Sequence, residues 1–413
     1  MSLRLWKGAN LSQRPDVAYR VYLSLSGVST LLNAMMFTVL TVYYVQVGGL
    51  NPFQLVLVGT VMEVTTFLFE IPTGVIADTY SRRLSVIIGT FITGAAFVLV
   101  GLTGSFVMIA LGLALYGLGS TFLSGAREAW IIDELGNEQI GYVFLRTTQL
   151  RRIASFIGAF VGVGLASIQL YLPILLGGVL TVLLGVYLVR FMPETNFHST
   201  PPAERDSWQA MTTTLRDSMK MVRSRPLLLW FLACAVAFGA YAEAFDRLGE
   251  AHFLFDFVFP KFWNFKPVVW FGIINAGSQL LGFAAAGSAT RWLAIKKQSA
   301  LVRTLLLLQL FWVGAVIAFG LAGNFGFALG AFWLVGIIRT LHEPLYAAWL
   351  NQHIDARVRA TILSLLNQAD ALGQFTGGPL IGGIGTIFSL RAAMMVAGLA
   401  LAPVCLLYTQ TDN

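Results

Sequence analysis

Charge is what this chain has least of: of 413 residues only 11% are charged, while 57% are hydrophobic. A water-soluble globule of this length needs far more polar surface to coat itself, so that class is excluded and a lipid environment is implied. Cysteine is almost missing too. Cys234 and Cys405 both fall inside apolar blocks, which excludes a disulfide framework or a cysteine metal site and leaves them as small packing residues. The histidines, His198, His252, His342 and His353, form no ligand cluster, and no GxSxG elbow occurs. His342-Glu343 opens like the zinc-protease helix motif, but Tyr346 stands where the second histidine is required. Enzymatic chemistry, a metal and a cofactor are therefore not expected.

What is present is a series of about twelve apolar blocks, each long enough to cross the hydrocarbon as a helix. The earlier spans read as 21–46, 53–74, 84–103, 106–128, 142–167 and 171–191. The later ones read as 226–248, 267–289, 300–321, 325–347, 360–385 and 389–409. The expected fold is an all-α integral membrane protein, its helices divided into two pseudo-symmetric bundles of about six each. The bundles cover 1–191 and 226–413, joined by a polar linker at 192–225. In that linker Trp208, Met211, Leu215 and Met219 recur at helical spacing beside Arg205, Arg216, Lys220 and Arg223. The pattern reads as an amphipathic helix in the membrane interface or as a solvated linker helix.

The net charge of +7 does not imply a nucleic-acid partner, because the basic residues sit where topology needs them. Arg4, Lys7, Arg14 and Arg20 precede span one, Arg82 and Arg83 follow span two, Lys296 and Lys297 follow span eight, and Arg357 and Arg359 precede span eleven. Alternate loops such as 47–52, 101–105 and 322–326 carry no charge. The positive-inside bias then puts both termini in the cytoplasm. Polar residues run to Arg20 before a first block long enough to span, so an uncleaved insertion signal is expected.

The two halves echo one another. One offset lays Glu128 on Glu343 and carries Gly158, Phe160 and Gly162 onto Gly373, Phe375 and Gly377. A slightly shorter one lays Gly74 near Gly287 and the pair Arg82 and Arg83 near Lys296 and Lys297. Duplicated halves are how rocking transporters build a midplane site.

The turn after span two, GVIADTYSRR (Gly74 to Arg83), resembles the loop signature of the major facilitator superfamily, with Gly74, Asp78, Arg82 and Arg83 at matching positions. GGPLIGGIG (Gly377 to Gly385) is similar to a glycine-proline motif of that family's exporters, although there it sits in span five, which here reads GAFVGVG. SGAREAWIID (Ser124 to Asp133) and RATILSLLNQADALGQ (Arg359 to Gln374) resemble bacterial drug- or metabolite-efflux members. The chain departs from proton-coupled antiporters in having Tyr116 and Gly117 where span four carries an arginine motif, and in lacking an acid in span one. The resemblance implies a secondary transporter working by alternating access in the bacterial inner membrane and drawing on the proton gradient, with a small molecule and the bilayer as partners, and a monomer is expected because the chain contains both halves.

In the turn itself, Asp78 can accept from backbone N–H groups opening span three, and Arg82 and Arg83 can reach Asp133 or Glu134. Such a cluster reads as a conformational latch, or as a topology anchor on lipid phosphates. Acids and arginines inside spans are the substrate and coupling candidates, because each must face a cavity or a partner. They are Asp370, Glu243, Glu63, Asp246 and Arg247, of which Glu243, Asp246, Arg247 and Glu250 form one stripe in the outward end of span seven. Arg247 can pair with Glu243 or Glu250. Arg146 and Arg152 in span five and Arg339 in span ten read as anion holders or as partners of acids such as Glu128 and Glu343. Tyr43, Tyr44, Phe37, Trp130, Phe332 and Trp333 are candidates for an apolar cavity wall or a lipid face. The expected function is proton-coupled efflux of a hydrophobic or amphipathic compound. Proton-coupled uptake of a nutrient or organic anion and a non-transporting receptor or scaffold are the alternatives.

Overall fold

The structure, a computed structural model, describes residues 14–136, 138, 140–197, 226–261, 265–292, 298–353 and 359–411. Regular structure among the described residues is entirely helical. The helices are α1 (Arg14–Gln46), α2 (Pro52–Thr79), α3 (Arg82–Leu102), α4 (Phe106–Leu123), α5 (Ala126–Leu135), α6 (Ile140–Ile168) and α7 (Leu172–Phe191). They continue as α8 (Pro226–Asp256), α9 (Pro267–Trp292), α10 (Gln298–Gly320), α11 (Phe325–His353), α12 (Arg359–Ile387), α13 (Leu390–Ala400) and α14 (Pro403–Thr411). Most of the linker, 198–225, lies outside the described residues, as do Arg4, Lys7, Lys296, Lys297 and Arg357.

Eleven stretches among the described residues are long and apolar enough to cross a membrane. The segment α12 is not one of them, although it is 29 residues long, because Asn367, Gln368, Asp370 and Gln374 interrupt its apolar surface. A helix this polar is tolerated at membrane depth only where its polar face meets protein or a cavity.

Spans one, two and ten, observed as α1, α2 and α11, run five to seven residues beyond the bounds read from the sequence, and three further departures change the local architecture. Span four breaks into α4 and α5, where Gly125 takes φ 67°, a left-handed conformation that costs a residue without Cβ nothing. Span twelve breaks into α13 and α14 just before Pro403, which has no N–H to continue a helix. Span seven does not stop at 248 but runs on to Asp256. Ala251, His252 and Phe253 stay buried along that extension, so the Glu243 to Glu250 stripe lies within the helix rather than at its outward end.

The chain divides into two compact units, Met1–Val39 with Thr65–Arg205 and Leu40–Val64 with Asp206–Asn413. In the first unit α3 is packed on both sides through glycines. A Cβ on Gly89 would lie 2.7 Å from the carbonyl oxygen of Gly119 in α4, and one on Gly94 2.8 Å from the backbone nitrogen of Val182 in α7. Small residues let helix backbones approach this closely, which is how association proceeds where lipid removes the hydrophobic drive. At one end Trp130 is buried among Tyr22, Val86, Ile131, Val143 and Leu188, its indole donating to the Pro193 carbonyl at 2.7 Å.

The second unit is organised on the α8–α12 pair. The carbonyl of Val236 occupies the space a Cβ on Gly373 would need, and the Ala240 side chain faces Gly377 in the same way. In the first unit the carbonyls of Leu31 and Met35 abut Gly158 and Gly162. The sequence echo between those glycine pairs is therefore a repeated helix contact, α6 on α1 and α12 on α8. The hairpin joining α1 to α2 also packs here. Gly59 lies directly against the Glu243 and Arg247 side chains, Val56 lies against Gly378 and Gly382, and the Phe53 N–H donates to Thr386 Oγ1 at 2.8 Å. Phenylalanines fill the end of the unit toward α8's C-terminus, where Phe253 has the rings of Phe319, Phe325 and Phe332 at 5.3, 5.6 and 5.6 Å. Large apolar side chains such as Phe156, Phe160, Leu280, Phe283 and Phe311 remain exposed, which a chain surrounded by lipid tolerates and a water-soluble one does not.

Candidate functional site

Three helices of the second unit turn a polar stripe toward one another. On α8 it is Glu243, Asp246 and Arg247; on α11 it is Arg339, His342, Glu343 and Tyr346; on α12 it is Asn367, Asp370 and Gln374. Steps of three and four residues keep each set on one face of its helix. Together with Glu63 of α2 they line a cavity of about 610 Å³, within the range of small-molecule sites. Glu63, Glu243, Asp246, Arg247, Arg339, Glu343 and Asp370, which the sequence pointed to separately, thus meet around one space.

Its charges are unevenly paired. Arg247 Nε donates to Glu243 Oε1 at 3.1 Å, with the carboxylate only 5% exposed. Arg339 is held on two sides, Nη1 donating to Asp246 Oδ1 at 2.8 Å and Nε to Glu343 Oε1 at 3.1 Å. Both guanidiniums are therefore occupied by carboxylates. Asp370 receives a neutral donor, Gln374 Nε2 at 2.7 Å. Glu63 makes no hydrogen bond or ion pair among the described residues, and Arg247 and Asp370 are the charges that act on it. Glu250 points elsewhere: it accepts from Asn275 at 2.9 Å and from Thr41 rather than from Arg247.

The remaining wall is aromatic. Trp312 Nε1 donates to the Tyr241 hydroxyl at 2.9 Å, and Phe238 lies 5.7 Å from Trp312 and 5.8 Å from both His342 and Tyr346. The His342 ring stacks on Tyr346 at 5.7 Å while its Nε2 meets the Tyr408 hydroxyl at 3.0 Å. These are not the aromatics singled out in the sequence. Tyr43 and Tyr44 are buried and do not line the cavity, although Tyr44 lies within electrostatic reach of Arg247, Trp130 belongs to the first unit's core, and Trp333 covers Gly277 and donates to the Ile274 carbonyl. Phe332 lines a smaller neighbouring cavity of about 350 Å³, which shares Asp246, Arg339 and Glu343 with the larger one. Asn367, Gln374, Tyr241 and Trp312 were missed. Asn367 and Gln374 carry the same three-and-four spacing that marked span seven.

The arginines of span five lie in the first unit. Arg146 hydrogen-bonds Tyr19, Arg152 is exposed, and Glu128 is paired with its neighbour Arg127 at 3.3 Å. None of them borders either cavity.

The turn between α2 and α3 is a network inside the first unit. Arg82 Nη1 donates to Asp133 and to the Ala129 carbonyl, and Nη2 lies 3.4 Å from Asp78. Arg83 reaches neither acid. It donates to the Met192 and Val189 carbonyls at 2.7 Å each, at the negative end of the α7 dipole. Asp78 does not cap α3, because it lies one turn back and meets Arg82. Ser81 accepts from the Leu84 N–H instead, and Glu194, absent from the sequence reading, accepts from Ser81 Oγ at 2.6 Å and the Arg83 N–H at 2.9 Å. Glu134 likewise turns from the arginines to the N–H groups of Thr195 and Asn196. A Cβ on Gly74 would meet nothing within 4 Å, so packing among the described residues does not explain that glycine.

Duplicated glycine-seamed bundles and an intramembrane cavity of mixed acids and arginines define a multi-pass membrane protein of the secondary-transporter class. The Major Facilitator Superfamily profile matches residues 23–378, and the chain belongs to that family. It is 26% identical over 361 residues to YxaM, an uncharacterised MFS-type transporter of Bacillus subtilis (strain 168), with 86% of each chain covered. Its fold is that of the nucleoside transporter NupG (TM-score 0.75, 13% identity, 95% of this chain and 98% of that one). It also matches a peptide transporter, POT, solved with sulfate (TM-score 0.71, 15% identity, 95% and 94% covered). The chain is a transporter, not an enzyme.

Proposed function

We propose that the chain exports a hydrophobic or amphipathic small molecule against proton entry, through the 610 Å³ cavity of its second unit. The observation that carries this reading is the pair Glu63 and Asp370, carboxylates on the cavity wall with no cation bonded to either among the described residues. A carboxylate without a fixed counter-charge can gain and lose a proton as its surroundings change, and the binding of a second ligand then shifts that equilibrium. Glu243, Asp246 and Glu343 are committed to arginines and set the shape and field of the site. Asp78, Arg82, Arg83 and Asp133 serve as a latch on the turn after α2, with both termini in the cytoplasm of a monomer in the inner membrane.

Interior pH in proteoliposomes of the purified protein tests the reading, with cationic, neutral and anionic compounds added in turn. Efflux predicts proton movement opposite to the compound, lost in Asp370→Asn and unchanged in Arg146→Ala. The second reading is uptake with a co-transported proton, supported by the names of the fold neighbours, a nucleoside and a peptide transporter. It predicts movement in the same direction as the compound. Radiolabelled exchange without proton movement would sink both.

A further inference from the structure

We infer that the cavity selects amphipathic organic cations, compounds with a positive nitrogen or phosphorus centre on a bulky apolar body, and that proton and cation compete for Glu63 and Asp370. The inference rests on the 610 Å³ cavity as the transport site and adds the charge of the cargo. Among the residues that line it are five carboxylates, Glu63, Glu243, Asp246, Glu343 and Asp370, against two guanidiniums, Arg247 and Arg339. The guanidiniums are already used: Arg247 lies on Glu243, and Arg339 lies between Asp246 and Glu343. An anion entering would meet guanidiniums whose charge is already balanced by bonded carboxylates and would still face Glu63 and Asp370. A cation meets both with no bonded cation to displace among the described residues, Asp370 holding only the neutral Gln374 amide, and brings the charge the cavity lacks.

The aromatic part of the lining makes the same selection for a different part of the ligand. Tyr241, Trp312, Phe238 and Tyr346 form a chain of rings with successive centroids 5.5, 5.7 and 5.8 Å apart, a surface that holds apolar bulk and attracts a desolvated cation through the ring quadrupole. His342 adds a ring stacked on Tyr346 and bonded to Tyr408. The acids take charge and the rings take volume. Exchange follows without further machinery, because a cation docked at Glu63 and Asp370 disfavours protonation there, and a proton bound there weakens the cation. The groups facing the two acids are Glu243 and Arg247 from α8, Arg339 and Tyr346 from α11, and Gln374 from α12 itself, and the two acids also act on one another.

A matched pair of ions of opposite sign and nearly equal shape tests this. Equilibrium binding of tetraphenylphosphonium and of tetraphenylborate is measured on the full chain in detergent, across pH. The inference expects saturable phosphonium binding, no specific borate binding, and affinity that falls on acidification by up to about tenfold per pH unit for one competing proton. Glu63→Gln and Asp370→Asn each weaken phosphonium binding by roughly tenfold, and Asp370→Glu, which keeps the charge, restores it. A monodisperse elution profile excludes misfolding of the variants. Tighter borate binding, phosphonium binding that is flat with pH, or full affinity in both neutral variants overturns it. If neither ion binds while proton-coupled flux of another compound still needs Asp370, the cation inference fails and the transport reading stands. If phosphonium binds as described but no compound moves protons, the coupling reading fails and the site remains.

Discussion

Arg82 shows how much one side chain in the α2–α3 turn holds together. Its guanidinium joins Asp133 of α5, the Ala129 carbonyl and Asp78, and the Arg82 and Asp133 side chains are 20% and 24% exposed. Removing either member leaves the other charge without its strongest partner, a loss of about 2 kcal/mol for a charged hydrogen bond. Arg82→Ala and Asp133→Ala should each lower the unfolding temperature of the detergent-solubilised protein, and the double variant should lose clearly less than the sum. Strict additivity would mean that the two do not act as a pair. Transport is the second readout. If the turn is a latch, Arg82→Ala slows flux even at temperatures where the variant is fully folded, whereas a purely structural pair leaves folded protein at normal rate. In the cavity, Arg339 is the corresponding single point. Arg339→Ala removes the bond to Asp246 and to Glu343 together and adds one uncompensated negative charge to the wall. Substrate recognition should change more than stability, because the Asp246 and Glu343 side chains, 49% and 63% exposed, already face water. A Km shift at unchanged expression checks it.

At the scale of helices, the glycine seams decide which elements can touch. Gly373→Leu places a branched side chain where the Val236 carbonyl sits, whereas a Cβ on Gly383, ten residues along the same helix, would meet nothing within 4 Å. Overpacking of this kind costs about 1–3 kcal/mol or more when backbone must move. Gly373→Leu should therefore fail to yield monodisperse protein, Gly373→Ala should fold with a lowered melting temperature, and Gly383→Leu should behave as the parent in size-exclusion chromatography. These contacts explain what the sequence could and could not say. The Gly158–Gly162 and Gly373–Gly377 echo was readable because a repeated helix contact imposes a repeated requirement for small residues. The acids and arginines of the cavity were readable because lipid makes any intramembrane charge conspicuous. Asn367 and Gln374 were not, since an uncharged polar residue costs less to bury and stands out less. The break at Gly125 was invisible to hydropathy, which counts apolar residues and not φ. The packing of Gly59 against Glu243 and Arg247 was beyond reach altogether, because it joins residues far apart in sequence and is visible only after α2 and α8 are placed.

For the whole molecule, the distribution of charge between loops makes one demand that fold alone does not meet. The turn at Thr79 to Arg83 carries its arginines on the same face of the membrane as the basic N-terminus if the positive-inside bias governs insertion, while the uncharged loops at 47–52 and 101–105 face the other way. Arg82 and Arg83 are already tied to Asp133 and to the end of α7, so they contribute to packing as well as to topology. The two roles separate by labelling. With Cys234 and Cys405 replaced by Ala, a single cysteine at Tyr80, which is 72% exposed, should react with a membrane-impermeant maleimide in inverted vesicles and not in intact cells. A cysteine at Gly49 should show the opposite pattern. Reversal of both would put the termini outside and turn the proposed efflux cycle around with them, since the face holding the turn would then meet the external medium. Labelling of both positions from one side would contradict the hairpin formed by α1 and α2, which requires that the two ends of α2 lie on opposite faces.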